Sequence, residues 1–131
     1  MRKSSFLINM PYFYVALTVI FTVYGQLVLK WRIEYYQVES TSFFANFIRL
    51  IKIIFSDPLI FSGLVSAFFA SIFWMLAVSK LELSSAYPLT SASFVLVFIA
   101  SAILFGEPIS LQKLIGISLI VVGIIIIGRA M

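Results

Sequence analysis

Uncharged apolar runs, each stopped by a charge, take up most of this chain and leave little else to fold. The first lasts 19 residues, from Pro11 to Leu29, about what a helix needs to cross hydrocarbon. Others cover Pro58 to Val78 and Leu83 to Phe105, and a shorter one covers Leu114 to Gly128. The five acidic residues, Glu34, Glu39, Asp57, Glu82 and Glu107, all fall between or beside these runs, so the charges mark the membrane boundaries. Only 11% of the residues are charged, against roughly 25% in soluble domains, which excludes a soluble globule. The expected fold is an all-α membrane protein: a single domain over residues 1–131 with four transmembrane helices at about 11–31, 58–78, 83–105 and 110–129.

Neither cysteine nor histidine is present. That removes disulfides, thiolate nucleophiles, the usual zinc sites and imidazole acid–base chemistry, so no enzymatic activity, cofactor or metal is expected. The formal charge of +4 comes from cations scattered at the membrane edges, a pattern of anchoring and orientation rather than of nucleic-acid binding. Arg2 and Lys3 ahead of an apolar run look like the start of a secretory leader. The run is of spanning length, however, and no small-residue cleavage site follows, so it reads as the first helix. Four crossings put both ends on one side of the membrane. Arg2, Lys3, Lys80 and Arg129 fall on that side and Lys30, Arg32, Arg49, Lys52 and Lys113 on the other; the pair flanking the first helix directs the ends to the cytoplasm.

Within the 32–57 connection, Asn46, Arg49, Lys52 and Ser56 form a narrow polar stripe on an otherwise apolar, Phe- and Ile-rich segment. The spacing predicts an interfacial amphipathic helix over about 42–56. A fifth crossing there would bury two cations at roughly 2.5–3.5 kcal/mol each. Asp57 suits the N-terminus of the helix that follows it, and Pro88 interrupts the next one early. Small residues (Ser62, Gly63, Ser66, Ala67 and Ala70 in one helix, Gly116 and Gly123 in the last) mark faces for close approach, either within one protomer or between copies. Four short helices hardly enclose a pathway alone, so at least one such face is expected to join a dimer.

The polar residues inside these runs are few. Gln26 and Lys30 share a face at i, i+4; Tyr87, Thr90, Ser91 and Ser93 surround Pro88, and Trp74 lies near the same membrane end as Tyr87. Singly, each has a plain explanation: Lys30 snorkels, Tyr87 and Trp74 are belt aromatics, and the hydroxyls bond their own helix. Together, beside a broken helix, they form the setting of a transporter site. No carboxylate lies at mid-membrane, so cation–proton exchange lacks its usual residue. Lys30 with a neutral polar strip suits an anionic or hydroxyl-rich group, such as a phosphate carrying a sugar.

The run from Leu81 to Gly128, with its Gly106-Glu107-Pro108 turn, and the segment Gly25-Gln26-Leu27-Val28-Leu29-Lys30 resemble the drug/metabolite transporter superfamily, in its EamA-like, small multidrug resistance-like branch. The resemblance implies a homo- or heterodimer, often antiparallel, in a bacterial inner membrane, with the third helix moving and the fourth joining subunits. Multidrug exporters of that branch carry a glutamate in the first helix and a tryptophan where Thr90 stands here. Tyr87-Pro88-Leu89 and Gly106-Glu107-Pro108 look more like the flippase subunits for polyprenyl-phosphate aminoarabinose. By that likeness the protein would move a polyprenyl-phosphate-linked sugar by alternating access within membrane lipid. Lys30 would meet the phosphate, Gln26, Trp74, Tyr87 and Thr90 the sugar, and Glu107 would orient Lys30. The competing readings are a small multidrug or metabolite exporter and a non-transporting subunit that stabilises a partner.

Overall fold

A computed structural model describes residues 2–38 and 42–130, with side chains from Met10 onward in the first stretch. The side chains of Arg2 and Lys3, expected to orient the first helix, and all of Glu39 lie outside the described residues. Six helices follow one another among the described residues: α1 (Arg2–Tyr36), α2 (Phe43–Ser56), α3 (Pro58–Val78), α4 (Leu83–Thr90), α5 (Ala92–Phe105) and α6 (Leu111–Ala130). Among the described residues, four stretches are long and apolar enough to cross a bilayer: Met10–Tyr36, Pro58–Val78, Leu83–Phe105 and Leu111–Ala130. The protein is a multi-pass, all-α membrane protein, with α2 as a short amphipathic helix between the first two crossings.

Helix α1 exceeds its expected 11–31 limits at both ends. Upstream, residues 4–10 contain no charge, Gly or Pro to stop it, so Pro11 lies inside the helix and not in its opening turn. Downstream, Lys30, Arg32 and Glu34 do not end it, because Lys30 pairs with Glu34 one turn on (2.6 Å) and Arg32 pairs with Asp57. The helix stops at Gln37, whose φ of 41° is left-handed, with its amide bonded back to the Glu34 carbonyl.

Asp57 is the knot at this end of the molecule. Only 3% exposed, it caps α3 by accepting from the amides of Leu59 (2.9 Å) and Ile60 (3.4 Å) through Oδ1. Its Oδ2 accepts from Arg32 Nε (2.7 Å) and Tyr36 Oη (2.9 Å). Arg49 of α2 donates to the Tyr36 carbonyl at 3.1 Å, one of the carbonyls a helix end leaves without a partner. Ser42 starts α2 by accepting from the Ala45 amide, and Ile53 is its buried residue. Phe43, Phe44, Phe47 and Phe55 of α2 stay exposed.

Helices α1 and α3 pack antiparallel along the small residues of α3. A Cβ on Gly25 would sit 2.9 Å from the Gly63 carbonyl oxygen, so the backbones touch there. Ser66 Oγ donates to the Phe21 carbonyl at 2.6 Å, and the Phe21 ring meets Phe69 and Phe73. The small stripe of α3 is therefore used inside the protomer. The third crossing is split at Ser91 into α4 and α5, three residues after Pro88. Helix α5 ends at Gly106, φ 64°, a conformation that suits glycine, and Pro108 keeps the chain from continuing as helix. Helix α6 contains no buried residue and, among the described residues, packs only on α4 and α5. Beyond Gly116, Gly123 and Gly128 nothing lies within 4 Å of where a Cβ would stand.

Burial raises the cost of the Asp57 charge, but hydrogen bonds from Arg32, Tyr36 and the two amides outweigh it and hold the carboxyl below its ordinary range. Such a group contributes stability that is complete above its unfolded pKa and disappears as pH falls through the folded one. Denaturant titrations in detergent should show stability falling below about pH 4. The Asp57→Asn variant should be weaker at neutral pH and lack that acid limb; an identical limb in the variant would assign the effect to other groups.

Candidate functional site

Thr18, Thr22, Gln26 and Lys30 recur every fourth residue along α1, which places them in one gently winding row. A quarter-turn away is the Gly25 contact with α3, so that contact leaves the row beside a gap. The gap is a recess of about 360 Å³ between α1, α3, α4 and α5, lined among others by Thr18, Thr22, Gln26, Trp74, Tyr87 and Thr90. Trp74 of α3 and Tyr87 of α4 meet edge to face, ring centroids 4.9 Å apart, and form an aromatic corner. The break after Pro88 brings Ser91 and Ser93 to the same wall.

The polar groups here divide into two classes. Thr18 donates to the Tyr14 carbonyl (2.9 Å), Thr90 to that of Tyr87 (2.7 Å), Ser91 to that of Pro88 and Ser93 to that of Thr90 (2.8 Å). These hydroxyls satisfy themselves on carbonyls three or four residues back in the chain. By contrast, the Thr22 hydroxyl, the Gln26 amide, the Trp74 indole N–H and the Tyr87 phenol have no hydrogen-bond partner among the described residues. In bare hydrocarbon each such group costs several kcal/mol. Four of them around one cavity give it the means to hold water or a neutral, hydroxyl-rich group against an aromatic corner. No acidic or basic side chain is among the lining residues.

The remaining two expected residues lie beyond the recess. Lys30 continues the row one turn past Gln26, and its Nζ is 3.6 Å from Glu107 Oε1, on the connection between α5 and α6. Glu34 is nearer, at 2.6 Å. Both carboxylates and the ammonium are roughly half-exposed, so the pairs are open to solvent and salt. Two carboxylates share one ammonium, and an incoming anion must compete with them for Lys30.

The structure thus brings Gln26, Trp74, Tyr87 and Thr90 together and sets Lys30 with Glu107 at one end of their row. Thr18, Thr22 and Glu34 are not among the site residues expected from the sequence. For all three the signal is present, since they extend the four-residue spacing of Gln26 and Lys30 in both directions.

The family model described as the EamA-like transporter family matches residues 9–129. Over 113 residues the chain is 28% identical to the probable 4-amino-4-deoxy-L-arabinose-phosphoundecaprenol flippase subunit ArnE of Pseudomonas aeruginosa strain UCBPP-PA14, covering 86% of this chain and 92% of that one. It is 32% identical over 121 residues to the probable flippase subunit ArnF, of the same stated substrate, from Enterobacter sp. strain 638, covering 90% and 94%. A third relative, the uncharacterized protein y4nH of Sinorhizobium fredii, is 41% identical over 76 residues, or 57% of this chain and 61% of that one. No solved structure matches the chain. With the model spanning nearly its whole length, the chain belongs to the EamA-like transporter family.

Proposed function

We propose that the protein moves a polyprenyl-phosphate-linked sugar across the bacterial plasma membrane by exposing the recess alternately to its two sides. The observation that carries this reading is the set of unpartnered polar groups (Thr22, Gln26, Trp74 and Tyr87) around an uncharged cavity at membrane depth. A sugar supplies hydroxyls for those groups and an apolar ring face for the aromatic corner. Lipid-linked sugar transport is also what the names of the ArnE and ArnF relatives state of those proteins.

In this reading Gln26, Trp74 and Tyr87 hold the sugar, and Thr90 offers it the lone pairs left after its own backbone bond. Lys30 meets the phosphate. It does so by giving up the longer of its two ion pairs, so Glu107 holds the ammonium in position until the substrate arrives and Glu34 retains it throughout. The hydrocarbon tail never leaves the bilayer. With no carboxylate among the lining residues, a carboxylate that binds cation and proton by turns has no place in the recess. The outer face of α6, with Gly116 and Gly123 open, favours a second subunit, a copy or a related chain, as in proteins whose names call them subunits. Four crossings return the chain to the side it left, and both ends lie in the cytoplasm.

Reconstituted in liposomes with labelled polyprenyl-phosphate pentose, the protein, with a related subunit where it needs one, should carry label between leaflets. Lys30→Gln should reduce that rate by about two orders of magnitude, as removal of a charge-assisted phosphate contact does, while the protein still elutes as a folded species and Lys30→Arg keeps substantial activity. Full transport by Lys30→Gln would remove the lysine from the mechanism. Efflux of hydrophilic cations without movement of the lipid-linked sugar would favour the exporter reading instead.

A further inference from the structure

A second cavity, of about 250 Å³, lies on the other side of the same row, between α1 and α3. It shares Thr18, Thr22 and Gln26 with the first, so the two are lobes of one recess wrapped round the row. Their chemistry differs. The first lobe adds the indole, the phenol and the hydroxyls of α4 and α5. The second adds Gly25, Leu29, Ala67, Ala70 and Ser71, and Ser71 Oγ already donates to the Ala67 carbonyl at 3.0 Å. Its own contribution is therefore apolar, small and without a free donor. Its lining reaches Leu29, which immediately precedes Lys30 in the chain.

We infer that this α1–α3 lobe is the seat of the first, phosphate-proximal segment of the substrate's hydrocarbon chain. The inference rests on the proposed transport of a lipid-linked sugar and divides that amphiphile among three places. The sugar occupies the polar lobe, the phosphate lies at Lys30, and the chain leaves through the gap over Ala67 into the bilayer. Ala67 is exposed at the lip of the lobe, so space there comes from the absence of a larger side chain. Ala70, at 6% exposure, forms the floor. A hydrocarbon chain gains nothing from hiding in protein while surrounded by lipid; the lobe therefore governs where the chain lies during passage and contributes little to affinity.

Two measurements on the full-length protein in nanodiscs or liposomes test this. The probe is a pentose joined by a phosphodiester to a farnesyl chain bearing a diazirine, and its competitor is the free pentose 1-phosphate. Photolysis should place adducts on Leu29, Ala67, Ala70 and Ser71, and excess competitor should suppress them. Adducts spread over the outward Phe61 and Phe68, indifferent to competitor, would overturn the inference. Ala67→Phe should slow transport of the prenyl-linked sugar by about tenfold, the effect of overfilling a packed site. It should leave unchanged the response of Trp74 fluorescence to free pentose 1-phosphate, read in a Trp31→Phe background. Normal transport by Ala67→Phe would sink the tail site alone. Failure of wild-type protein to respond to the headgroup or to move the lipid-linked sugar would sink the transport reading itself. The crosslinking is done on unsubstituted protein, so it decides the question even where Ala67→Phe does not fold.

Discussion

The contact of Gly25 with Gly63 is the constraint from which the rest of the arrangement follows. In a bilayer, helices do not gain by hiding apolar surface from water, so they associate where backbones come close enough for packing and interhelical hydrogen bonds. Gly25 and Gly63 permit that approach, and Ser66 uses it to reach the Phe21 carbonyl at 2.6 Å. Asp57 fixes the same pair at one end by joining Arg32 and Tyr36 of α1 to the first turn of α3. With α1 held in rotation and in height, its row of Thr18, Thr22 and Gln26 lines the gap between α1, α3, α4 and α5. One face of α1 is structural and the neighbouring face is polar, and a rotation of about 100° per residue separates them.

The economy of hydrogen bonds around the recess separates scaffold from site. Thr18, Thr90, Ser91 and Ser93 all bond carbonyls three or four residues back in the chain and are self-sufficient in hydrocarbon. Around the Pro88 break such bonds also satisfy carbonyls that the irregular backbone exposes. The Thr22 hydroxyl, the Gln26 amide, the Trp74 indole and the Tyr87 phenol have no such provision among the described residues. Their cost is tolerable only where something polar meets them, and the packing of α1 on α3 sets them beside the recess where that can happen.

Much of this fold was legible in the sequence because its signals are local. Charges bracket the crossings, Pro88 lies just ahead of the break at Ser91, and Gly106 with Pro108 forces the turn before α6. What was not legible depends on partners distant along the chain. Nothing in the spacing announces that Arg32 will find Asp57, 25 residues on, yet this pairing helps α1 continue past Trp31 to Tyr36. The stripe of small residues on α3 was visible, but whether it served α1 or a second copy depended on Gly25 in the facing helix. Of the site, Gln26, Trp74, Tyr87 and Thr90 stood out as polar or amphipathic groups in apolar runs. Thr18 and Thr22 did not, since a threonine at membrane depth usually satisfies itself, as Thr18 does.

One face of α1 borders a polar recess at membrane depth, while Ile20 and Tyr24 on the opposite face are exposed outside it. The chain contains no cysteine, so single cysteines can be placed in turn from position 17 to position 29 and their reaction with a membrane-impermeant thiol reagent measured in intact proteoliposomes. Reactivity should peak at Thr18, Thr22 and Gln26, with Ile20, Tyr24 and Val28 protected. Uniform protection along the segment, or reactivity centred on Ile20, Tyr24 and Val28, would contradict it.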